Sequence, residues 1–545
     1  MKMLTSSIVG NRDLDGPGSI VSVNPATEEE LATVSALDET GASEAVRAAK
    51  EAYPSWAATP VKERQRILAR WLEIMLAEEE ELARLVTAEG GKPVAEARLV
   101  DVFPGLETLK YYAEHADELL AFRPVPPEQI LFSHWRGAGY RFDPLGVMTV
   151  VTPWNYPVGI PMAEIVPALV AGNTLVFKPA SATILTGLAI GDMARRAGLP
   201  AGVLNTVALP GRTTDVLLDH PDVVKVLFTG SVEVGRHVAR RCAERIIPAQ
   251  LELGGKDAAV VAADADLERT ARGLVWGAFM NSGQTCASIE RVYVEAPLYD
   301  RLLRRIVELT REIRVGDPAE AGTDMGPLTT RGQLETVVAH VVDAADRGAR
   351  ILCGGQRPPG AGYFFPPTVL VDVTDDMECI GEETFGPTMP VMRVATLEEG
   401  IRRANDSRFG LTASGWTRSR QTAERLQREL AAGVVTINDH AVAFAEATGA
   451  WGGLKESGIG RAHGPFGLHE LVNVKYVMHD PGDDPAMPWY YPYDDDFDTF
   501  LAAAMPLLYG SFGDKVGSLE KLASTRRFRE RVRKTTLVTN FRKLL

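Results

Sequence analysis

The chain has 545 residues, 58 basic and 72 acidic, with a net charge of −14; 45% of it is hydrophobic and 24% charged. That length can bury more than one core, so two or more domains are expected. The acidic balance argues against nucleic acid as the main partner, because phosphate binding needs a basic face.

The first thirty residues lack the apolar stretch of a secretory signal, and no apolar run is long enough to span a bilayer. The four cysteines (Cys242, Cys286, Cys353, Cys379) form no CxxC pair, and the nine histidines form no HExxH. A reducing, cytoplasmic setting is expected, with no zinc framework and no metal site.

Residues 1–40 read as loop-rich with one strand at 20–23, and residues 41–120 as amphipathic helix, for example at 63–72. Residues 124–145 are punctuated by Pro and Gly and strand-like, as at 129–132. From Val147 strands and helices alternate: strand 147–151, helix 163–171, strand 174–177, helix 186–197, strand 224–228, helix 234–244, strand 258–261. This rhythm predicts a parallel sheet with crossover helices. A second alternation runs from Glu268 to about Asn438, with helices to Met280, at 298–311 and at 333–347, and strands at 292–294 and 350–353. The last sixty-odd residues differ: aromatics and prolines at 489–493, an acidic run at 494–496, an apolar helix-like stretch and a basic end.

Several turns between these elements carry reactive side chains. Cys286 follows Asn281-Ser282-Gly283-Gln284-Thr285 on a Gly-marked turn. It reads either as a small buried hydrophobe or as a thiolate nucleophile toward a carbonyl. Glu252 lies between two leucines before Gly254-Gly255. It is either a surface residue at a strand end or a general base whose pKa is raised by burial. Asn155, in Thr152-Pro153-Trp154-Asn155-Tyr156-Pro157, stands directly after a strand, where ligands bind in open α/β sheets. Its amide either caps a turn or stabilises an oxyanion. In 228–235 Gly230 permits a tight turn, Gly235 permits close packing, and the helix start can receive a pyrophosphate.

Taken in order, TPWNYP, AGNTLVFKPAS, FTGSVEVG, LELGGK, NSGQTC, EETFGP and GGLKESGIGR resemble the aldehyde dehydrogenase superfamily over roughly residues 20–480. The resemblance implies that Cys286 is the nucleophile and that Asn155, with the Cys286 backbone N–H, forms the oxyanion hole. It implies that Glu252 activates water, that Lys178 holds the adenosine ribose, and that Ser231 beside Gly230 contacts the pyrophosphate. Glu383 then binds the nicotinamide ribose and Phe385 packs beside that ring, while Thr152, Trp154 and the Leu253 backbone border the same site. The presence of Glu252 favours hydrolysis over acyl transfer to coenzyme A. A catalytically silent, structural relative is the alternative from another class.

NAD-preferring members often carry a glutamate two residues after the Lys-Pro pair, where this chain has Ser181. A carboxylate there binds the ribose 2′-OH and repels a 2′-phosphate. Ser181 removes that repulsion, so the cofactor is NAD or NADP, with NADP accepted. The resemblance places Tyr156, Ile160, Ala163, Thr285, Ala287 and Trp451 along the substrate tunnel. Ala163 is small where some relatives carry a bulky aromatic, and no basic anchor for an acidic substrate is evident. The stretch 286–291 nonetheless resembles some bacterial succinate-semialdehyde dehydrogenases, so both a semialdehyde and a medium-chain or aromatic aldehyde stay open.

The expected architecture is α/β. It has a Rossmann-like cofactor domain (1–121 and 145–254), a catalytic α/β domain (255–467), bridging oligomerisation strands (122–144 and 468–485) and a C-terminal extension (486–545). A homodimer or homotetramer is implied. The extension carries Arg526, Arg527, Arg529, Arg531, Arg533, Lys534, Arg542 and Lys543 against Glu530, with apolar stretches at 501–508 and 537–545. It reads as a packed cover for a neighbouring subunit, a peripheral attachment to anionic lipid, or a flexible tail.

Overall fold

The computed structural model describes residues 3–125, 136–480, 490–527 and 529. It divides into two units, Met1–Leu120 with Asp143–Asn473, and Ala121–Phe142 with Val474–Leu545.

The first unit holds two large sheets. The eight-stranded sheet runs Gly458–Ile459, Ala249–Glu252, Val223–Thr229, Val147–Val151, Thr174–Lys178, Leu204–Thr206, Ser7–Val9, Arg12–Leu14. Its central strands are parallel, and those at 147–151 and 174–178 are buried at every position. A strand covered on both faces has no polar side to show, hence sequences such as Val-Met-Thr-Val-Val. One face packs Val226, Phe228 and Leu251 against Ala42 and Val46 of helix Glu39–Ala58 and Val238 of helix Val232–Glu244. The register puts Leu227 beside Gln250 and Thr229 beside Glu252, so these four side chains and Lys225 share the opposite face. Helix Gly159–Val170 lies over that face.

The seven-stranded sheet runs Arg350–Cys353, Thr368–Val371, Thr388–Val394, Ile289–Glu295, Asp257–Val261, Thr412–Trp416, Val434–Ile437. Helices Leu267–Phe279 and Ala296–Glu312 cover one face, and Leu397–Asn405 and Arg420–Glu429 the other. Gly-Gly at 254–255 links the sheets between Glu252 and Asp257. Among the described residues no helix is long and apolar enough to cross a membrane.

Two sequence expectations need correction. Residues 1–40 carry four short strands, Ser7–Val9, Arg12–Leu14, Gly18–Val23 and Glu30–Ala36, rather than one. Their pairing partners lie far off or across a tight turn, as for Ile8 with Thr206, so local pattern misses them. The helix expected from 163 begins at Gly159, because the Asp101 carboxylate accepts the N–H groups of Val158 (2.9 Å) and Gly159 (2.6 Å). A cap supplied by another helix leaves no local signature.

In the second unit strands Val472–His479, Arg136–Pro144 and Arg123–Pro124 form a small sheet. Helices Asp495–Tyr509 and Phe512–Ser524 form a hairpin around Phe500, Ala503, Leu507 and Leu522, the second opened by a Ser511–Asp514 capping box. Arg526 and Arg527 lie 3.7 and 3.5 Å from Asp494, so part of the basic end is matched by the acidic run. The strand expected at 129–132, the stretch at 537–545, Glu530, Arg531, Arg533, Lys534, Arg542 and Lys543 lie outside the described residues.

Candidate active site

Cys286 sits at the end of a strained turn. Asn281, Ser282 and Gly283 all have positive φ (51°, 55° and 72°). Two non-glycine residues in that region cost about 1–2 kcal/mol each, which surrounding bonds must offset. Asn281 Nδ2 donates to the carbonyls of Asn155 (2.9 Å) and Gln284 (3.1 Å), Ser282 Oγ to Gly326 O (2.9 Å), and Gln284 Nε2 to Asn281 O (3.0 Å). Gly283 is needed as glycine, since a β-carbon would stand 2.1 Å from Gly386 O. Burial pushes the Cys286 thiol well above its ordinary pKa, with Asp257, Glu383 and Glu252 adding to the rise and the Ala287 N–H opposing it.

Asn155 is held from both ends. Its carbonyl accepts from the Lys92 ammonium at 2.8 Å as well as from Asn281. Lys92 is fully buried, pairs with buried Asp101 at 2.8 Å and lies 4.1 Å from the centre of the Tyr156 ring. The Asn155 side-chain NH₂ donates to Gln284 O at 3.0 Å, which uses one of its two protons.

The Glu252–Gly255 turn is pressed against both of its neighbours. A β-carbon on Gly254 would meet Glu383 Oε2 at 2.2 Å, and one on Gly255 would meet Cys286 O at 2.2 Å. Glu252 is buried, and neither carboxylate oxygen has a hydrogen-bond partner among the described residues. Burial raises its pKa well above the ordinary carboxylate range; Glu164 adds to this and Arg461 opposes it. The surface alternative for Glu252 is therefore excluded by its position.

Two cavities meet at Cys286 and Ile160. One, of about 260 Å³, is lined by Trp154, Asn155, Gly230, Ser231, Glu252, Leu253, Glu383 and Phe385. It opens at the carboxyl ends of the parallel strands, where Ser231 caps the thirteen-residue helix Val232–Glu244. Glu383 receives the Gly255 N–H at 3.0 Å, and burial with Glu290 pushes its pKa up to about 8. Trp154 and Phe385 meet edge to face at 5.5 Å. Gly235 is a packing position, since a β-carbon there would stand 2.4 Å from Leu253.

Thr152, Lys178 and Ser181 do not line this cavity. Thr152 N–H donates to Lys178 O across neighbouring strand ends (3.3 Å), and Ser181 starts the short helix that follows. Burial pushes the Lys178 ammonium down to about 8.

The second cavity, about 240 Å³, is lined by Tyr156, Ile160, Thr285, Cys286, Ala287 and Trp451. Leu99, Phe103, Trp276, Met280, Val442 and Phe444 are among the other residues that line it, and no charged residue is in its described lining. Ala163, expected in this tunnel, is buried on its helix outside the lining. Tyr156 OH and Thr285 Oγ1 share a hydrogen bond at 2.6 Å.

The sequence reading overlooked Lys92, Asn281, Gln284, Phe444 and the apolar mouth. Leu99, Phe103 and Trp276 are exposed large side chains on otherwise polar helix faces, a signal that was available. Lys92 gave none, because its partners are 9 and 63 residues away.

A family profile described as the aldehyde dehydrogenase family matches residues 13–477. The chain is 37% identical over 469 residues to a 3-sulfolactaldehyde dehydrogenase of Pseudomonas putida, covering 85% of this chain and 94% of the relative. It is 36% identical to the succinate-semialdehyde dehydrogenase [NADP(+)] of Escherichia coli K12, over 85% and 95% of the two chains. An NAD+ complex of a Bacillus cereus aldehyde dehydrogenase superposes with a TM-score of 0.84 at 34% identity, over 87% and 96%. With a thiol, a buried carboxylate and an amide lining one cleft that meets an apolar tunnel, the chain belongs to the aldehyde dehydrogenase family and is an NAD(P)-dependent oxidoreductase.

Proposed function

We propose that the protein oxidises an aldehyde with an apolar tail to its acid with NAD or NADP as oxidant, with Cys286 as nucleophile, Asn155 as oxyanion donor and Glu252 as the base for water. The observation that carries this is the meeting of the two cavities at Cys286, one polar and lined by Glu252, the other apolar. Cys286 Sγ adds to the aldehyde carbonyl. The second Asn155 Nδ2 proton and the Cys286 backbone N–H receive the oxyanion, donors of a kind worth roughly 3–4 kcal/mol. A bound NAD or NADP supplies the hydride acceptor, and the acyl group is left on Cys286 as a thioester. Glu252 then takes a proton from water as its oxygen attacks that thioester.

The residues present fit the dinucleotide. Ser231 and the helix start suit a pyrophosphate, Glu383 a ribose, and the Trp154–Phe385 pair a flat ring. Lys178 and Ser181 offer donors and no carboxylate, which supports acceptance of NADP as well as NAD.

The relatives are named for substrates that carry an acidic group, which favours a semialdehyde as the second reading. Against it, Arg291 of the resembling 286–291 stretch donates to the carbonyls of Lys256, Arg403 and Ala404 rather than lining the tunnel. Among the described residues strand Val472–His479 is the outermost of its sheet, which supports pairing between copies, as a homodimer or homotetramer. A membrane contact would rest on the basic residues beyond 530, because Arg526 and Arg527 already face Asp494.

The test is an aldehyde panel with both cofactors. Hexanal or benzaldehyde is expected to exceed succinate semialdehyde in kcat/KM, and the reverse order would establish the second reading. C286A is expected to lose roughly 10³-fold or more in turnover; unchanged turnover would overturn Cys286 as the nucleophile, and a wild type with no turnover on any aldehyde would return the chain to a silent relative.

A further inference from the structure

The base is not the last carboxylate on its face of the sheet. Lys225, Thr229, Gln250 and Glu252 project from one side of the eight-stranded sheet, by the register of strands Val223–Thr229 and Ala249–Glu252. Glu164, on the helix above, is 4% exposed, and Gln250 Nε2 donates to its Oε2 at 3.3 Å. Glu252 is 5% exposed and its two oxygens are unpartnered, as are Gln250 Oε1 and Thr229 Oγ1, among the described residues. Buried oxygens of this kind are ordinarily bridged by water. Lys225 Nζ donates to Glu470 O at 2.5 Å and lies 3.4 Å from Glu470 Oε2, whose side chain is 42% exposed. A line of ionisable groups therefore leads from the base to the surface.

We propose that Glu164 is the relay residue that receives the proton Glu252 removes from water. The inference rests on Glu252 being the base. In that step a water O–H bond breaks, and the water oxygen bonds to the thioester carbonyl while its proton goes to Glu252. The C–S bond then breaks and the acid departs. The proton held on Glu252 passes to the Glu164 carboxylate, restoring the base; Lys225 gives one of its ammonium protons to the Glu470 carboxylate, which releases it to solvent, and takes the Glu164 proton in its place.

The charges facing the pair are unequal, and Glu164, the weaker proton holder of the two, passes the proton on rather than keeping it. Glu252 faces Glu164, Cys286 and Arg461, while Glu164 faces Lys225, Tyr112 and the Thr229 hydroxyl. Burial holds Glu164 at about 7, with Lys225 and Thr229 drawing it down, whereas Glu252 is pushed up by burial and by Glu164 itself. Neighbouring buried carboxylates favour one proton between them.

The experiment compares full-length wild type, E164Q and E252Q by stopped-flow cofactor reduction, steady-state turnover from pH 6 to 9, and turnover with added hydroxylamine. Hydroxylamine attacks a thioester without a base. E164Q is expected to keep a full burst of reduced cofactor, turn over about tenfold or more slowly, lose one ionisation from the kcat profile, and recover with hydroxylamine. Wild-type turnover and pH profile in E164Q would overturn the relay, and so would loss of the burst without hydroxylamine rescue, which marks a structural role. If E252Q hydrolyses normally, the base assignment itself fails; if only E252Q stalls after its burst, the relay alone fails. Should E164Q not fold, E164D is expected to slow turnover with the burst retained, and unchanged turnover there overturns the proposal equally.

Discussion

Gly255 lies so close beneath Cys286 that a β-carbon on it would stand 2.2 Å from the Cys286 carbonyl oxygen. The turn that follows the buried carboxylate and the loop that carries the thiol are thus in backbone contact. G255A is expected to displace Cys286 by a fraction of an ångström. Misplacement on this scale costs up to about 10²-fold in rate. The check is kcat beside circular dichroism, with activity lost and secondary structure kept.

Asn155 should matter through both ends of its residue. N155A is expected to lower kcat by about 10²–10³-fold with little change in KM. K92M removes the ammonium that holds the Asn155 carbonyl and leaves Asp101 buried and unpaired, which costs roughly 3–5 kcal/mol of stability. Denaturation midpoints and kinetics on both variants separate the two effects: N155A should melt near wild type and K92M well below it.

Glu290 orients the segment that presents Glu383. Its carboxylate accepts from the N–H groups of Thr384 and Phe385 (both 2.8 Å) and pairs with the buried Lys256 ammonium. E290A is expected to raise the KM for NAD or NADP by about tenfold or more, while burst amplitude at saturating cofactor is preserved. Cofactor titration by fluorescence quenching gives the same comparison without turnover.

The rate should climb with pH above neutrality. Both Cys286 and Glu252 act deprotonated, and the pKa of each is raised by burial. A raised pKa means that the active form is still scarce at pH 7 and gains population toward pH 9. A kcat/KM profile that is already flat below pH 7 would contradict this.

Two buried histidines should each subtract stability on mild acidification, against the buried carboxylates, whose raised pKa values act the other way. Burial pushes His440 and His463 down to about 4, below their ordinary 6.5. Between those values the unfolded chain binds protons that the native state refuses, so each histidine costs about 2 kcal/mol of stability between pH 7 and pH 5. Thermal midpoints at the two pH values test it: H463L is expected to gain on the wild type at pH 5 relative to pH 7, and an equal offset at both would contradict it.

Much of this protein was legible in its chain. Alternating apolar strands and amphipathic helices announced parallel sheets, because buried parallel strands and their covering helices each impose a period on sequence. The seven ordered motifs pointed to the family, since turns at strand ends need particular residue types. The sequence alone left Glu252 between surface and interior, and only the fold settles that it is buried. It put Ile160 and Ala163 together along a tunnel whose lining, as folded, includes Ile160 and leaves Ala163 buried behind it. Lys92 and Glu164 lay in no motif, and Glu290 had only its place in the stretch 286–291, with no role attached. Their significance comes from partners distant in sequence, and a charge in the interior is governed by what surrounds it in space. Local chemistry thus showed which groups could react, while tertiary packing decided which of them meet, how strongly each holds its proton, and where that proton can go.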